Sequence, residues 1–167
     1  MKIQLQTLFD KLAESHSMFY LQDDLLKRYN SMLLNAIMNG TDRYIEVEIP
    51  DNTFELIEEK RRADLKKEEL RNMISQYRLD GMDIEKTDID KAIECYKKSI
   101  ELGESTDMFY TYAYSYKRII VLFHKTKNYK DEILYCSKFL EHDLSDSERL
   151  KYSERLSKLK NKYGELE

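Results

Sequence analysis

The apolar residues of this chain recur mostly at steps of three and four, which is the period of one face of an α-helix. This spacing covers residues 2–39 and predicts one long helix or two shorter helices there. Further along the chain the same spacing predicts helices over residues 52–79, 88–103, 108–125, 127–141 and 145–163. The pattern therefore predicts an all-α fold.

One segment departs from the helical spacing. Over residues 42–50, Ile45, Val47 and Ile49 alternate with Tyr and Glu side chains until Pro50 ends the run. Strict alternation is typical of a β-strand, but no second strand is apparent in the sequence. We therefore expect an extended linker here. The alternative is an edge that pairs with a partner or a second copy by strand addition.

Short polar motifs predict where some helices begin and end. Asn52 followed by Glu55 three residues later fits a capping box, and Ser145 with Glu148 repeats that pattern. The helix that starts after Asn52 is expected to reach about residue 79. Residues 80–83 contain a glycine between aspartates, and they are expected to break this helix.

The pattern typical of the second helix of a helical hairpin occurs twice, in segments 88–103 and 127–141. These two segments flank the aromatic-rich segment 108–125. Together these segments resemble the tetratricopeptide repeat family, in which each repeat is a pair of antiparallel helices. The matching positions are Ala92, Ile93, Tyr96, Ile100 and Leu102, then Tyr116, Ile119 and Phe123, then Tyr129, Ile133, Phe139 and Leu140. Two positions depart from the family, because Ile120 and Glu132 stand where small residues are usual.

The resemblance covers about residues 70–163 and implies a tetratricopeptide-like α-hairpin array, an α-α superhelix. Repeats of this kind bury the apolar stripe of each helix by stacking on the next. We expect residues 1–50 to form an N-terminal helical extension and extended linker. Residues 51–167 are expected to form the repeat-like domain.

In that family, first-helix side chains line a concave groove that holds a partner. Carried over by position, the resemblance implicates Tyr114, Lys117, Val121, His124 and Lys125. Members of the family that bind the terminal carboxylate of a peptide have an Asn where this chain has Val121. Binding of a peptide C-terminus is therefore not expected. Tyr and Lys together suit an extended or helical peptide.

The four tyrosines of the aromatic segment have a second interpretation. Tyr110, Tyr112, Tyr114 and Tyr116 recur on a helix, and aromatics at helical spacing usually pack in a core. We expect at least two of the four to be packing residues.

These features favour a noncatalytic protein-protein interaction module, acting as an adaptor, a regulator or an inhibitor, with a protein or peptide as its partner. One alternative is a structural homodimer formed by residues 2–39 and 53–79. Another is an RNA- or DNA-binding regulator using the basic residues of the segment 61–67. A third is a ribonuclease, because Arg118 and His124 have a spacing seen in helical RNA-cutting enzymes. Six residues place that pair about 240° apart on a helix.

Charge argues against the nucleic-acid alternatives. The formal net charge is −4, whereas nonspecific nucleic-acid binding depends on clustered Lys and Arg. The abundance of Lys, Ile, Tyr and Asn is compatible with an AT-rich bacterial or phage genome.

Composition and residue spacing also indicate the cellular compartment and limit the kinds of site that we expect. Cys95 and Cys136 lie in helical patterns and are expected to be small buried residues in a reducing, cytoplasmic setting. Residues 1–20 lack the form of a signal peptide. No apolar run approaches the ~20 residues of a membrane span. His16, His124 and His142 share no ligand spacing, so we expect neither a metal nor a cofactor.

Overall fold

The structure is a computed structural model that describes residues 1–15, 17, 30–40 and 43–164. Most of these residues are helical, which confirms the all-α prediction. In chain order the elements are β1 (Lys2–Gln4), α1 (Leu5–Glu14), α2 (Asn30–Asn39), β2 (Glu46–Glu48), α3 (Thr53–Ile84), α4 (Ile89–Glu104), α5 (Phe109–Lys125), α6 (Tyr129–Leu140) and α7 (Asp146–Tyr163).

The N-terminal segment contains a small sheet that the sequence pattern did not resolve. Strands β1 and β2 pair in antiparallel register, with Ile3 opposite Val47. The strand pattern near Val47 is thus confirmed, whereas the expectations of an unpaired linker and of helix at residues 2–4 are wrong. Strand β1 has only three residues, and its alternation merges with the helix that follows. Of the two alternatives for residues 2–39, one long helix is wrong, because α1 ends at Glu14 and Ser17 is not helical, whereas α2 covers Asn30–Asn39. Residues 16 and 18–29 lie outside the described part of the chain.

The sheet and α1 share one hydrophobic core. Leu5, Leu8 and Leu12 lie on one side of α1 because they are three, four and seven residues apart, and none of the three has exposed surface. Each strand contributes one buried apolar side chain to this core, Ile3 from β1 and Val47 from β2. The buried members of the cluster are Ile3, Leu5, Leu8, Leu12, Val47, Ile49 and Ile57.

Helix α3 is longer than predicted. It begins directly after Asn52, as the capping pattern predicts, and continues for 32 residues. The predicted break at residues 80–83 is wrong. A Cβ on Gly81 would lie 2.9 Å from Cε1 of the Tyr96 ring, so this glycine allows α3 and α4 to approach closely rather than ending the helix.

The chain divides into two compact units, Met1–Lys67 and Glu68–Glu167, so the division falls within α3. A boundary after residue 50 stays a prediction. In the second unit, short connections join α4 to α5, α5 to α6 and α6 to α7, and each helix packs on the next. Short connections of this kind make neighbouring helices antiparallel.

Local capping explains several of these helix starts. Asp88 precedes α4, and its Oδ1 accepts a hydrogen bond from the backbone N of Lys91 at 3.0 Å. Ser145 precedes α7, and its Oγ accepts from the backbone N of Glu148 at 3.4 Å, as the capping motif predicts. Both contacts satisfy backbone donors that a helix start leaves without an internal partner.

Helices α3, α5 and α7 lie side by side, because side chains connect α5 to each of the other two. The Arg78 guanidinium of α3 lies 5.8 Å from the centre of the Tyr114 ring on α5. On the other side, Arg155 of α7 donates from Nη2 to the carbonyl oxygen of Ile120 on α5 at 3.4 Å. These three helices form one layer.

Helices α4 and α6 form a second layer. Lys97 of α4 and Asp131 of α6 approach to 3.9 Å, and the Lys97 ammonium also lies 5.9 Å from the centre of the Tyr135 ring. The core lies between the two layers. Its buried members are Ile74, Ala92, Ile93, Tyr96, Ile100, Met108, Tyr112, Tyr116, Ile119, Ile120, Leu122, Phe123, Cys136, Phe139, Leu144 and Tyr152.

Candidate partner-binding face

The five residues predicted to contact a partner all lie on α5. Tyr114, His124 and Lys125 are exposed, whereas Lys117 and Val121 are half-buried. Steps of three and four along a helix place most of them toward one side. That side faces away from the buried positions of α5, which pack toward α4 and α6.

Two of these residues also connect α5 to its neighbours in the layer. Tyr114 lies beside Arg78 of α3, as described above, and Lys117 forms an ion pair with Glu148 of α7. The ammonium of Lys117 holds the pKa of the Glu148 carboxyl below its ordinary value through a direct hydrogen bond. The predicted face is therefore ordered by contacts with the helices on both sides.

The four tyrosines of α5 divide equally between the core and the surface. Tyr112 and Tyr116 are buried, which confirms that at least two of the four pack in the core. Tyr116 is also anchored, since its hydroxyl donates to Oε1 of Glu104 at 2.6 Å. Tyr110 and Tyr114 keep 73% and 39% of their surface exposed, so these two tyrosine rings of α5 lie at the surface.

The two residues of the ribonuclease alternative, Arg118 and His124, contact different carboxylates. Arg118 forms an ion pair with Glu85, which also accepts a hydrogen bond from the Tyr96 hydroxyl at 3.1 Å. Desolvation raises the pKa of Glu85, but the bonds from Arg118 and Tyr96 outweigh it and leave that pKa below its ordinary value. His124 bonds to Glu132 instead. Arg118 and His124 thus have different partners, and the ribonuclease assignment stays a prediction.

The structure reveals a buried carboxylate that sequence reasoning did not identify as functional. Glu132 of α6 has no exposed surface. Its Oε2 lies 2.9 Å from Nδ1 of His124, and its Oε1 accepts from Nε of Arg155 at 2.8 Å and from Nη2 of the same residue at 2.5 Å. A signal was present in the sequence, because Glu132 occupies a position where the resembled family has a small residue.

A cleft of about 480 Å³ opens above this carboxylate. The exposed or half-buried cations Lys151, Arg155, Lys158 and Lys162 recur along α7 at steps of four, three and four, so they form one row. We call these four residues the α7 basic row. The remaining lining residues of the cleft are His124, Glu132, Glu154, Leu159 and Tyr163.

Stacked aromatic rings lie at one end of this cleft. The rings of Tyr129 and Tyr163 are 3.8 Å apart and nearly parallel, at 7°. Tyr129 also meets the His124 ring edge-on at 5.8 Å. These contacts connect the start of α6, the end of α5 and the end of α7, and they fix the position of the α7 basic row relative to α5.

A second cleft, also of about 480 Å³, lies between α4 and α6. His142 follows α6, and its Nε2 lies 2.9 Å from Oε1 of Glu104, while its ring stacks on Phe109 at 4.1 Å. Tyr116 donates to the same carboxylate oxygen, so Glu104 links Tyr116 and His142 in this cleft.

The basic residues of α3 that the nucleic-acid alternative invokes are partly neutralised by a carboxylate. Arg61 donates from Nε to Glu58 at 2.8 Å, and Arg62 donates from Nε to the same carboxylate at 3.0 Å. These bonds, first from Arg61 and then from Arg62, lower the pKa of Glu58 to about 2. Lys66 and Lys67, the other two residues of that alternative, are exposed.

The two cysteines differ in environment. Cys136 is buried, its Sγ donates to the carbonyl oxygen of Tyr152 at 3.4 Å, and burial raises the pKa of its thiol to about 11. Cys95 is half-buried rather than buried, which corrects the expectation for that residue. Neither cysteine forms a disulfide.

The described residues contain neither a cluster of metal ligands nor a helix suited to cross a membrane. In residues 1–15, 17, 30–40 and 43–164, no three His, Cys, Asp or Glu side chains gather as ligands for a metal ion. His16 lies outside those residues. Within the same part of the chain, no helix has both the length and the apolar character required to cross a membrane.

Comparison of the chain with protein-family models, with characterised proteins and with solved structures gave no match.

Proposed function

We propose that this chain is a noncatalytic protein-binding module built as a tetratricopeptide-like α-hairpin array. The observation that carries the proposal is the arrangement of Glu68–Glu167 in two layers, with α3, α5 and α7 in one and α4 and α6 in the other. Stacked hairpins of this kind present one layer of first helices as a continuous surface. The partner is a protein or peptide, and the module acts as an adaptor, a regulator or an inhibitor.

The exposed side of α5 supports this function by its chemistry. Tyr110 and Tyr114 offer aromatic surface, and the exposed Lys125 adds a cation to the same helix. Tyrosine rings provide much contact area for few rotatable bonds, which makes them frequent anchors at protein interfaces. Lys117 is held by Glu148 and gives this side a fixed charge pair.

The test is affinity capture from the native cell with the unmodified chain and with a Tyr114→Ala/Lys117→Ala variant. We expect the variant to lose most of the captured partner, because truncating an interface tyrosine typically costs about 2 kcal/mol of binding free energy. Leu134→Ala is the matched control, since Leu134 is 47% exposed on α6 in the other layer. Equal recovery by all three proteins contradicts the assignment of this surface.

A homodimer is the second candidate, and exposed apolar side chains on α3 favour it. Leu79 and Met82, which are three residues apart and therefore neighbours on one side of α3, each keep more than a third of their surface exposed. Exposed apolar patches are typical of association surfaces. Light scattering over a range of concentrations tests this candidate: a mass that stays at 20.1 kDa at high concentration contradicts it.

A further inference from the structure

The α7 basic row carries an inference about what kind of partner segment this protein binds. It deepens the proposed function and depends on it, because it concerns the same layer of helices. Three of the four cations, Lys151, Lys158 and Lys162, are exposed, and the fourth, Arg155, is half-buried. They stand in a chain whose formal net charge is −4, so the row is a local exception to an acidic molecule.

We propose that the α7 basic row binds an acidic, extended peptide segment of a partner protein. Carboxylate side chains of that segment pair with Lys151, Lys158 and Lys162 along the cleft beside α5. The occupant is defined by charge complementarity, which guides association and fixes the register of a bound chain.

The length of the row suits an extended peptide. Lys151 and Lys162 are separated by eleven residues of α7, which is about 16 Å along the axis of a helix. An extended chain of about five residues spans that distance, with alternate side chains about 6–7 Å apart on the same side. Steps of three and four residues along α7 place successive cations about 4.5–6 Å apart along the axis. Two alternate acidic residues therefore match Lys158 and Lys162, and a third acidic residue further along the segment reaches Lys151, about 10 Å from Lys158 along the axis.

The buried carboxylate beneath the cleft does not oppose this binding. Glu132 has no exposed surface, and its charge is already met by Arg155 and His124. The contact with Glu132 also holds Arg155 in place along the row. Glu154 is the other carboxylate that lines the cleft, where four cations outnumber the two acids.

A nucleic acid is the rival occupant, and the state of the aromatic rings at this cleft favours the peptide. Proteins that hold single-stranded nucleic acid combine a basic groove with aromatic rings on which bases stack. The two rings at this cleft, Tyr129 and Tyr163, stack on each other at 3.8 Å, so one face of each is already covered.

The experiment measures fluorescence anisotropy of a fluorescein-labelled peptide of about eight residues that alternates Glu and Ser. The same peptide with Gln in place of Glu is the uncharged control, and labelled oligouridine of similar length is the nucleic-acid probe. The full chain is compared with a Lys158→Glu/Lys162→Glu variant. Lys66→Glu/Lys86→Glu is the matched control, because it makes the same change of charge at exposed positions of the segment 53–86.

We expect the Glu peptide to bind the unmodified chain at least about tenfold more tightly than the Gln peptide or oligouridine. The Lys158→Glu/Lys162→Glu change is expected to weaken peptide binding about tenfold or more, and the control pair about twofold or less. Lys158→Arg/Lys162→Arg is expected to retain binding. An unchanged urea-unfolding midpoint shows that the tested variants remain folded.

Several results overturn the inference: no binding of the Glu peptide, equal binding of the Glu and Gln peptides, equal losses in the two double variants, or tighter binding of oligouridine. The capture experiment with Tyr114 and Lys117 is separate from these measurements. If capture depends on that pair but the peptide does not bind, the proposed function stands and the acidic segment is wrong. If a partner is captured equally by the variant, the assigned surface of α5 is wrong, and if the unmodified chain captures no protein, the proposed function itself is wrong.

Discussion

Glu132 shows how one residue connects three helices of the second unit. It belongs to α6, bonds to His124 near the end of α5 and accepts two hydrogen bonds from Arg155 in the middle of α7. A charged group loses its hydration when it is buried, so such a residue is retained only where partners replace the water. Here both carboxylate oxygens have partners, and the burial of Glu132 therefore fixes where α5 and α7 lie relative to α6.

Replacing this carboxylate tests that role directly. We expect Glu132→Gln to lower the free energy of unfolding by about 3 kcal/mol, because Arg155 loses its counter-charge in a partly buried site. Glu154→Gln is the control in the same cleft, where the side chain is exposed and a change within about 0.5 kcal/mol is expected. Urea unfolding followed by circular dichroism measures both.

A double variant distinguishes the effect of an unpaired charge on stability from the effect of side-chain packing. Replacing Glu132 with Leu and Arg155 with Met removes both members of the pair, and we expect much of the lost stability to return, because no unmatched charge remains. A Glu132→Gln variant as stable as the unmodified chain contradicts the account of this contact.

At the scale of elements, the packing of α4 against α5 depends on a residue without a side chain. Gly103 lies near the end of α4, and a Cβ there would overlap the ring of Tyr112 on α5. Because Tyr112 is almost fully buried, its ring has little room to move. Close packing at this point also positions Tyr116, one turn further along α5, against Glu104.

Gly103→Ala is expected to destabilise the protein by about 2 kcal/mol even though alanine favours helix more than glycine does. The reason is that displacement of the Tyr112 ring costs more than the gain in helix propensity. Glu101→Ala on an exposed position of the same helix is the control, and we expect it to change stability little. Thermal unfolding of both variants measures the difference, and a more stable Gly103→Ala protein refutes the close-packing argument.

The elements also show which structural features a sequence specifies locally. The start of α7 was predictable because Ser145 lies three positions before Glu148, whose backbone N donates to the Ser145 hydroxyl. The start of α3 directly after Asn52 also matches the capping pattern. The continuation of α3 through Gly81 was not predictable, since it depends on Tyr96, fifteen residues away and on another helix. Strand β1 was not predictable for the same reason, because Val47, which lies opposite Ile3, belongs to β2 and follows α2 in the chain.

At the scale of the molecule, the candidate surface could be predicted only in part. Helical spacing placed Tyr114 and Lys117 on one helix, and the resemblance to repeat proteins assigned that helix to a binding layer. The α7 basic row was missed because its importance depends on Glu132, which holds Arg155 across 23 positions of sequence. Long-range ion pairs leave no periodic pattern, so a surface formed by several helices is visible only once the chain is folded.

The two compact units provide the last prediction, since each has a hydrophobic core cluster of its own. Leu8 has no exposed surface in the cluster of the first unit, and Leu8→Ala is expected to cost about 3 kcal/mol there. Hydrogen exchange measures the effect by region. We expect faster exchange in α1, whereas α5 and α6 keep their protection because their packing involves only the second cluster. Equal loss of protection in α1, α5 and α6 would instead require that the two clusters unfold as one cooperative body.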